Sequence, residues 1–155
     1  MDRVYYVYET AFGKVMIESD GGSIRCIKTE GTQEPEGRHK PDGLTDKAAK
    51  QLEEYFAGKR KQFDVPLSPA GTAFQLAVWE ALREIPYGKT ASYEQIAQAV
   101  NNPKACRAVG LANNRNPVWI MIPCHRVIGK NGSLTGYGGG LEMKKKLLVL
   151  ESGKL

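Results

Sequence analysis

The sequence predicts an α+β protein, with a small sheet-plus-helix domain over residues 1–70 followed by a mainly helical domain over residues 71–155. Three observations carry this. Apolar residues in the first ~30 positions fall in short alternating runs, the mark of half-buried strands. Beyond residue 71 the apolar spacing changes to three and four, the period of amphipathic helices. Between the two patterns, Val65-Pro66-Leu67-Ser68-Pro69-Ala70-Gly71 reads as a linker.

Strands are expected at residues 3–8, Lys14–Ser19 and Ile24–Thr29, with Asp20-Gly21-Gly22 as a tight turn. Residues 30–43 are polar and rich in Gly and Pro, hence a loop. Thr45 reads as the cap of a helix that runs to Phe56 and is ended by Gly58. In the second half, Thr72 precedes FQLAVWEALREI, where Phe74, Val78 and Leu82 share a face with Ala77, Ala81 and Ile85. Pro86-Tyr87-Gly88 stops that helix. Ser92, with Gln95 three residues on, is a capping box for the short helix that follows. Asn102 reads as the next N-cap and Pro103 as a first helical residue, opening KACRAVGLANN.

Two short helices joined by a turn of three or four residues make a helix-turn-helix pattern. The second carries Lys104 and Arg107 among the small residues Ala105, Ala108, Gly110 and Ala112. Small side chains suit close approach to a surface, or equally close packing against another helix. Pro117–Pro123 is apolar throughout and too short for a helix. It reads as a buried extended segment that delivers Cys124 to a surface. Residues 129–140 form a glycine-rich loop. The final helix, Leu141 to Glu151, turns Leu147, Leu148 and Leu150 inward and Lys144–Lys146 mainly outward.

Composition narrows the function. The chain is 41% hydrophobic and 25% charged, as globular proteins are. The N-terminal MDRVYYVYET has no apolar signal-peptide core, and no run approaches the ~18 apolar residues of a membrane helix, so a cytoplasmic chain without membrane association is expected. Three widely spaced cysteines (Cys26, Cys106, Cys124) and two histidines argue against a disulfide framework and against a zinc site, so no metal is expected. Residues 1–70 hold 11 Lys and Arg against 12 Asp and Glu, while residues 71–155 hold 11 against 5. The basic half fits a polyanion partner or a solvated basic surface.

A lone cysteine is most often a small buried hydrophobe. Here Pro123 fixes the backbone before Cys124, and His125 and Arg126 surround it with positive charge. Such surroundings lower a thiol pKa, and the thiolate is the nucleophile.

The segments FQLAVWEAL (74–82), IPYGKTASYEQIA (85–97), RAVGLANN (107–114), NPV (116–118), IPCHRVIG (122–129) and GYGGGLEMKKKLL (136–148) stand in the order and spacing of one family. RAVG begins 17 residues before Cys124, a specific pairing with IPCHRV. Over residues 72–151 the chain resembles the O6-alkylguanine-DNA alkyltransferases, the methylated-DNA–protein-cysteine methyltransferases. The resemblance implies a ribonuclease H-like first domain and a winged helix-turn-helix-like second domain.

It also implies roles. Cys124 would be the alkyl acceptor, His125 its base through a water, Glu151 the group that orients the imidazole, and Asn116 a brace of that network. Tyr93 would hydrogen-bond the guanine as its oxygen leaves. Arg107 would enter the duplex in place of the damaged base, from a helix lying in the minor groove. Lys104, Ala105, Ala108, Gly110 and Arg115 would line the DNA. Val127, Tyr137, Gly138, Gly139 and Trp119 would surround the base, with the carbonyls of Cys124 and Val127 accepting its exocyclic amine and Tyr137–Gly140 as a lid. The implied reaction needs no cofactor. It repairs O6-alkylguanine, and O4-alkylthymine, in double-stranded DNA by base flipping, as a monomer, once per molecule. On the residues alone, Tyr93 fits a helix-start core aromatic, Arg107 a surface ion pair, and Trp79 and Trp119 the core. Gly138 departs from the Ser of many relatives, and Asn113-Asn114-Arg115 differs from several. A non-catalytic lesion-binding relative is the alternative, but such proteins lack the cysteine that stands here at position 124.

Overall fold

The computed structural model describes residues 3–29, 37–132 and 140–153. The chain divides into two units, Met1–Ala70 with Pro117–Trp119, and Gly71–Asn116 with Ile120–Leu155.

In the first unit, β1 (Val4–Thr10), β2 (Gly13–Ser19), β3 (Ile24–Thr29) and β4 (Arg38–His39) form a sheet in the order β3-β2-β1-β4. The first three are antiparallel neighbours, as alternation and the Asp20 turn predict. The Asp20 carboxylate accepts the backbone N–H groups of Gly22 and Ser23. Helix α1 (Gly43–Phe56) packs on this sheet, and Val15, Ile17, Ile24, Ile27, Leu52 and Tyr55 are buried. Gly58, at φ 76°, ends α1 in a Schellman arrangement, its N–H on the Tyr55 carbonyl and that of Lys59 on Glu54.

Three expectations change here. Strand β4 lies inside the expected loop and pairs in parallel with Val4 and Tyr5, too short a segment for any periodicity to show. Thr45 is not the cap. Asp42 is, and Thr45 closes a capping box from the third helical position, accepting the Asp42 N–H through Oγ1. The linker is also more than a tether. Pro66 and Ser68 bond to Ile24, and Pro117 and Trp119 bond to Ile27, so two short segments cover the outer edge of β3.

The second unit comprises α2 (Ala73–Arg83), β5 (Ala91–Ser92), α3 (Tyr93–Ala99), α4 (Cys106–Asn114), a single 3-10 turn (Cys124–Arg126), β6 (Val127–Ile128) and α5 (Leu141–Ser152). The box of Ser92 with Gln95 forms as expected, and a second box, Thr72 with Gln75, opens α2. The inward face of α2 is Val78, Trp79 and Leu82, not Ala77. Trp79 turns in because its indole N–H donates to the Ala112 carbonyl at 2.8 Å.

Helix α4 starts later than expected. Asn101 takes a left-handed conformation, φ 59°, its N–H bonding the Gln98 carbonyl while Asn102 N–H bonds that of Ala97. Both asparagines therefore finish α3 in a Schellman motif, and Asn102 does not cap α4. Ala105 occupies the cap position without a side-chain bond, so Lys104 and Ala105 precede the helix and the connection exceeds three or four residues. No helix among the described residues is long and apolar enough to cross a membrane.

Candidate active site

The chain enters the site through a strained backbone. Ile120 has φ 69°, a left-handed conformation that costs a β-branched residue roughly 1–3 kcal/mol. The surrounding structure holds it. The Asn116 amide donates to the Ile122 carbonyl at 2.7 Å, and Cys124 N–H donates to the same oxygen at 2.8 Å. The 3-10 turn then closes with Arg126 N–H on the Pro123 carbonyl and Val127 N–H on that of Cys124. This fixes Cys124 and His125 side by side. The expected delivery of Cys124 to a surface is not what occurs. The thiol residue is 4% exposed, and His125 is fully buried.

Glu151, in the last turn of α5, organises the polar centre. His125 Nε2 lies 2.7 Å from its Oε2. Arg126 donates through Nε to Oε1 at 2.8 Å and through a terminal nitrogen to Oε2 at 3.0 Å. Gly88 N–H reaches Oε1 at 3.3 Å. Arg126 also donates to the Ile85 carbonyl at 2.7 Å and lies over the Tyr87 ring at 5.7 Å. Gly88 delivers its N–H from φ 79°, a conformation that explains the glycine.

Burial holds His125 below the usual histidine value of 6.5, against the opposing pull of Glu151. The imidazole is therefore neutral at neutral pH, with its Nε2 proton on the carboxylate. Nδ1 is left as the basic atom, buried and without a hydrogen-bond partner among the described residues. Arg126 is committed to Glu151 and is not the cation beside the thiol. That position belongs to Lys144, which is completely buried instead of facing outward. Burial pushes its ammonium down to about 8, and the charge of Cys124 works in the other direction.

The two-strand ladder fixes the far side of the unit. Ala91 and Ser92 of β5 pair with Val127 and Ile128 of β6, which places Tyr93 just beyond the ladder that begins three residues after Cys124. A side chain on Gly110 of α4 would meet the Tyr93 ring at 3.8 Å.

Residues 73–153 match the family model described as 6-O-methylguanine DNA methyltransferase, DNA binding domain, and residues 3–69 match its ribonuclease-like domain. The chain is 48% identical over 151 residues to the methylated-DNA–protein-cysteine methyltransferase of Methanosarcina acetivorans, covering 95% of this chain and 97% of that one. It is 50% identical over 152 residues to the inducible enzyme of that name from Bacillus subtilis, covering 97% and 85%. The chain belongs to the methylated-DNA–protein-cysteine methyltransferases. The Mycobacterium tuberculosis OGT structure in complex with DNA superposes with a TM-score of 0.91 at 43% identity, over 97% of this chain and 93% of that one. Members of this family repair DNA by alkyl transfer, and this chain is one of them.

The methyltransferase unit brings Cys124, His125, Glu151 and Asn116 into one bonded neighbourhood, with Val127 buried beside them. Arg107 and Ala108 are exposed on α4 and Arg115 at its C-cap, with Lys104 exposed just before the helix and Ala105 half-buried at its N-cap. Trp119 is buried in the other unit, on the segment that pairs with Ile27. Tyr137, Gly138 and Gly139 lie outside the described residues. Sequence reasoning missed Gly88 and Tyr87, assigned Arg126 to the wrong partner and turned Lys144 the wrong way. The signal for Lys144 was present: it lies three, four and seven residues before Leu147, Leu148 and Glu151, on their face of α5.

Proposed function

We propose that Cys124 accepts the alkyl group of O6-alkylguanine, and of O4-alkylthymine, from a nucleotide rotated out of double-stranded DNA. The observation that carries this reading is a buried thiol next to a neutral histidine whose outer nitrogen is held by Glu151. An O6 atom inside a base stack cannot approach the thiol of a residue that is 4% exposed, so the nucleotide has to come to the protein.

In the reaction, His125 Nδ1 takes the thiol proton through a water. The thiolate displaces at the saturated alkyl carbon, so the S–C bond forms as the C–O6 bond breaks. The electron pair leaves with the guanine, which takes a proton from the Tyr93 phenol, and the phenolate then recovers the proton held by His125, so both groups end as they began. The net exchange is alkylguanine plus thiol giving guanine plus thioether. Water does not displace a thiolate from a thioether, so each molecule acts once, as a monomer. Arg107 on α4 fills the gap left in the duplex, entering from the minor groove, while the basic flank of Lys104 and Arg115 contacts phosphates.

Incubation with the free base O6-benzylguanine is expected to add one benzyl group to the intact mass, mapped to Cys124 and lost in Cys124→Ala. An unmodified wild-type mass, with the protein folded, removes the alkyl-acceptor assignment.

A further inference from the structure

Helix α4 turns Val109, Ala112 and Asn113 inward and leaves Arg107, Ala108, Leu111, Asn114 and Arg115 exposed. Leu111 does not belong on such a face by solubility alone. It is 60% exposed, more than any other large hydrophobic residue among those described. Burying a leucine is favourable, and this fold leaves that stabilisation unused. Its neighbours one turn away on each side, Arg107 and Arg115, are cations, and α4 contains no acidic residue. A surface that is apolar at its centre and cationic at both ends is complementary to a groove with anionic edges and an apolar floor. The minor groove, with phosphates at its rims and sugar faces within, has that construction.

We propose that Leu111 is an apolar wedge for duplex DNA, seated in the minor groove one helical turn from Arg107 and packed against the base step flanking the extruded nucleotide. This rests on the duplex reading above and adds to it a second inserted side chain of different chemistry. One turn is about 5.4 Å of rise, which separates the two side chains by more than a single base step. Arg107 would occupy the gap, while Leu111 would keep the adjoining step unstacked. Leucine is among the side chains that proteins use as such wedges.

The test compares wild type, Leu111→Ala, Leu111→Met and Arg115→Ala on two substrates, O6-benzylguanine as free base and a duplex carrying O6-methylguanine beside 2-aminopurine. Leu111→Ala is expected to slow duplex repair roughly tenfold and to reduce the 2-aminopurine fluorescence rise, with free-base alkylation within about twofold of wild type. Leu111→Met restores most of the loss. The salt slope of duplex binding stays as in wild type for Leu111→Ala but falls by ~1 for Arg115→Ala, because only the arginine releases counterions. Unchanged duplex repair and fluorescence in Leu111→Ala overturn the wedge, as does a finding that the substitution alters only concentration-dependent self-association. Failure of wild type to react with the free base would instead overturn the alkyl-acceptor reading.

Discussion

The two oxygens of Glu151 take bonds from His125, from two nitrogens of Arg126 and from Gly88 N–H. This saturation is what makes the imidazole orientation rigid, since the carboxylate has no open direction in which to swing. It also fixes charge. Arg126 neutralises Glu151, so a proton on His125 would be an uncompensated buried charge, consistent with the lowered histidine pKa. The consequence for stability has a definite sign. Between the folded value, below 6.5, and the unfolded value near 6.5, the unfolded chain binds a proton that the folded chain refuses. Stability therefore falls as the pH drops below about 6.5, and His125 has no effect above it. Urea midpoints taken from pH 7 downward should show this slope in wild type and a shallower one in His125→Asn; parallel slopes would mean that the buried imidazole is not the proton-linked group. Lys144 presents the opposite trade. Its buried ammonium costs stability but interacts electrostatically with Cys124, the residue proposed to react as a thiolate. Lys144→Met should unfold at the same or a higher temperature, yet alkylate with O6-benzylguanine about tenfold more slowly, both read from one preparation by calorimetry and intact mass.

Elements whose start or stop is written locally were legible in the sequence. Ser92 with Gln95 and Thr72 with Gln75 satisfy the first helical N–H groups within four residues, so the starts of α2 and α3 can be read from side-chain chemistry. Gly58 marks the end of α1 for the same reason. Asn101-Asn102 was ambiguous because asparagine serves both ends of helices, and only the bonds to Gln98 and Ala97 decide that α3 owns it. Strand β4 has two residues and exists through its pairing with β1, a contact between distant positions that leaves no local trace. The site divides in the same manner. The motif around Cys124 was readable, and Glu151 is an acid at a helix C-terminus, a position that calls for a partner. The carboxylate's bonds to Gly88 and Arg126 join three separate stretches of chain. Lys144 shows the helical period outweighing charge: its spacing to Leu147, Leu148 and Glu151 sets it inward, and it is fully buried there.

At the scale of the molecule, the sulfur proposed to react and the basic helix do different jobs within one unit. Residues 71–155 carry 11 cationic side chains against 5 acidic ones, and the cations named for DNA contact, Lys104, Arg107 and Arg115, are all exposed on or beside α4. Cys124 is buried on the 3-10 turn. Alkylation replaces a thiol by a thioether at a buried position, adding no charge and removing none from α4. Affinity for phosphates should thus survive a reaction that ends catalysis. Protein treated to completion with O6-benzylguanine is expected to bind undamaged duplex with the salt slope of untreated protein, since that slope counts phosphate contacts. The same sample should repair no O6-methylguanine. In mixtures of treated and untreated protein, the moles of lesion repaired should equal the moles of unmodified Cys124, however long the incubation. Repair exceeding that count would show that the thioether is turned over and that the acceptor is regenerated. A salt slope lowered by benzylation would place the sulfur, and not α4, at the phosphate contacts.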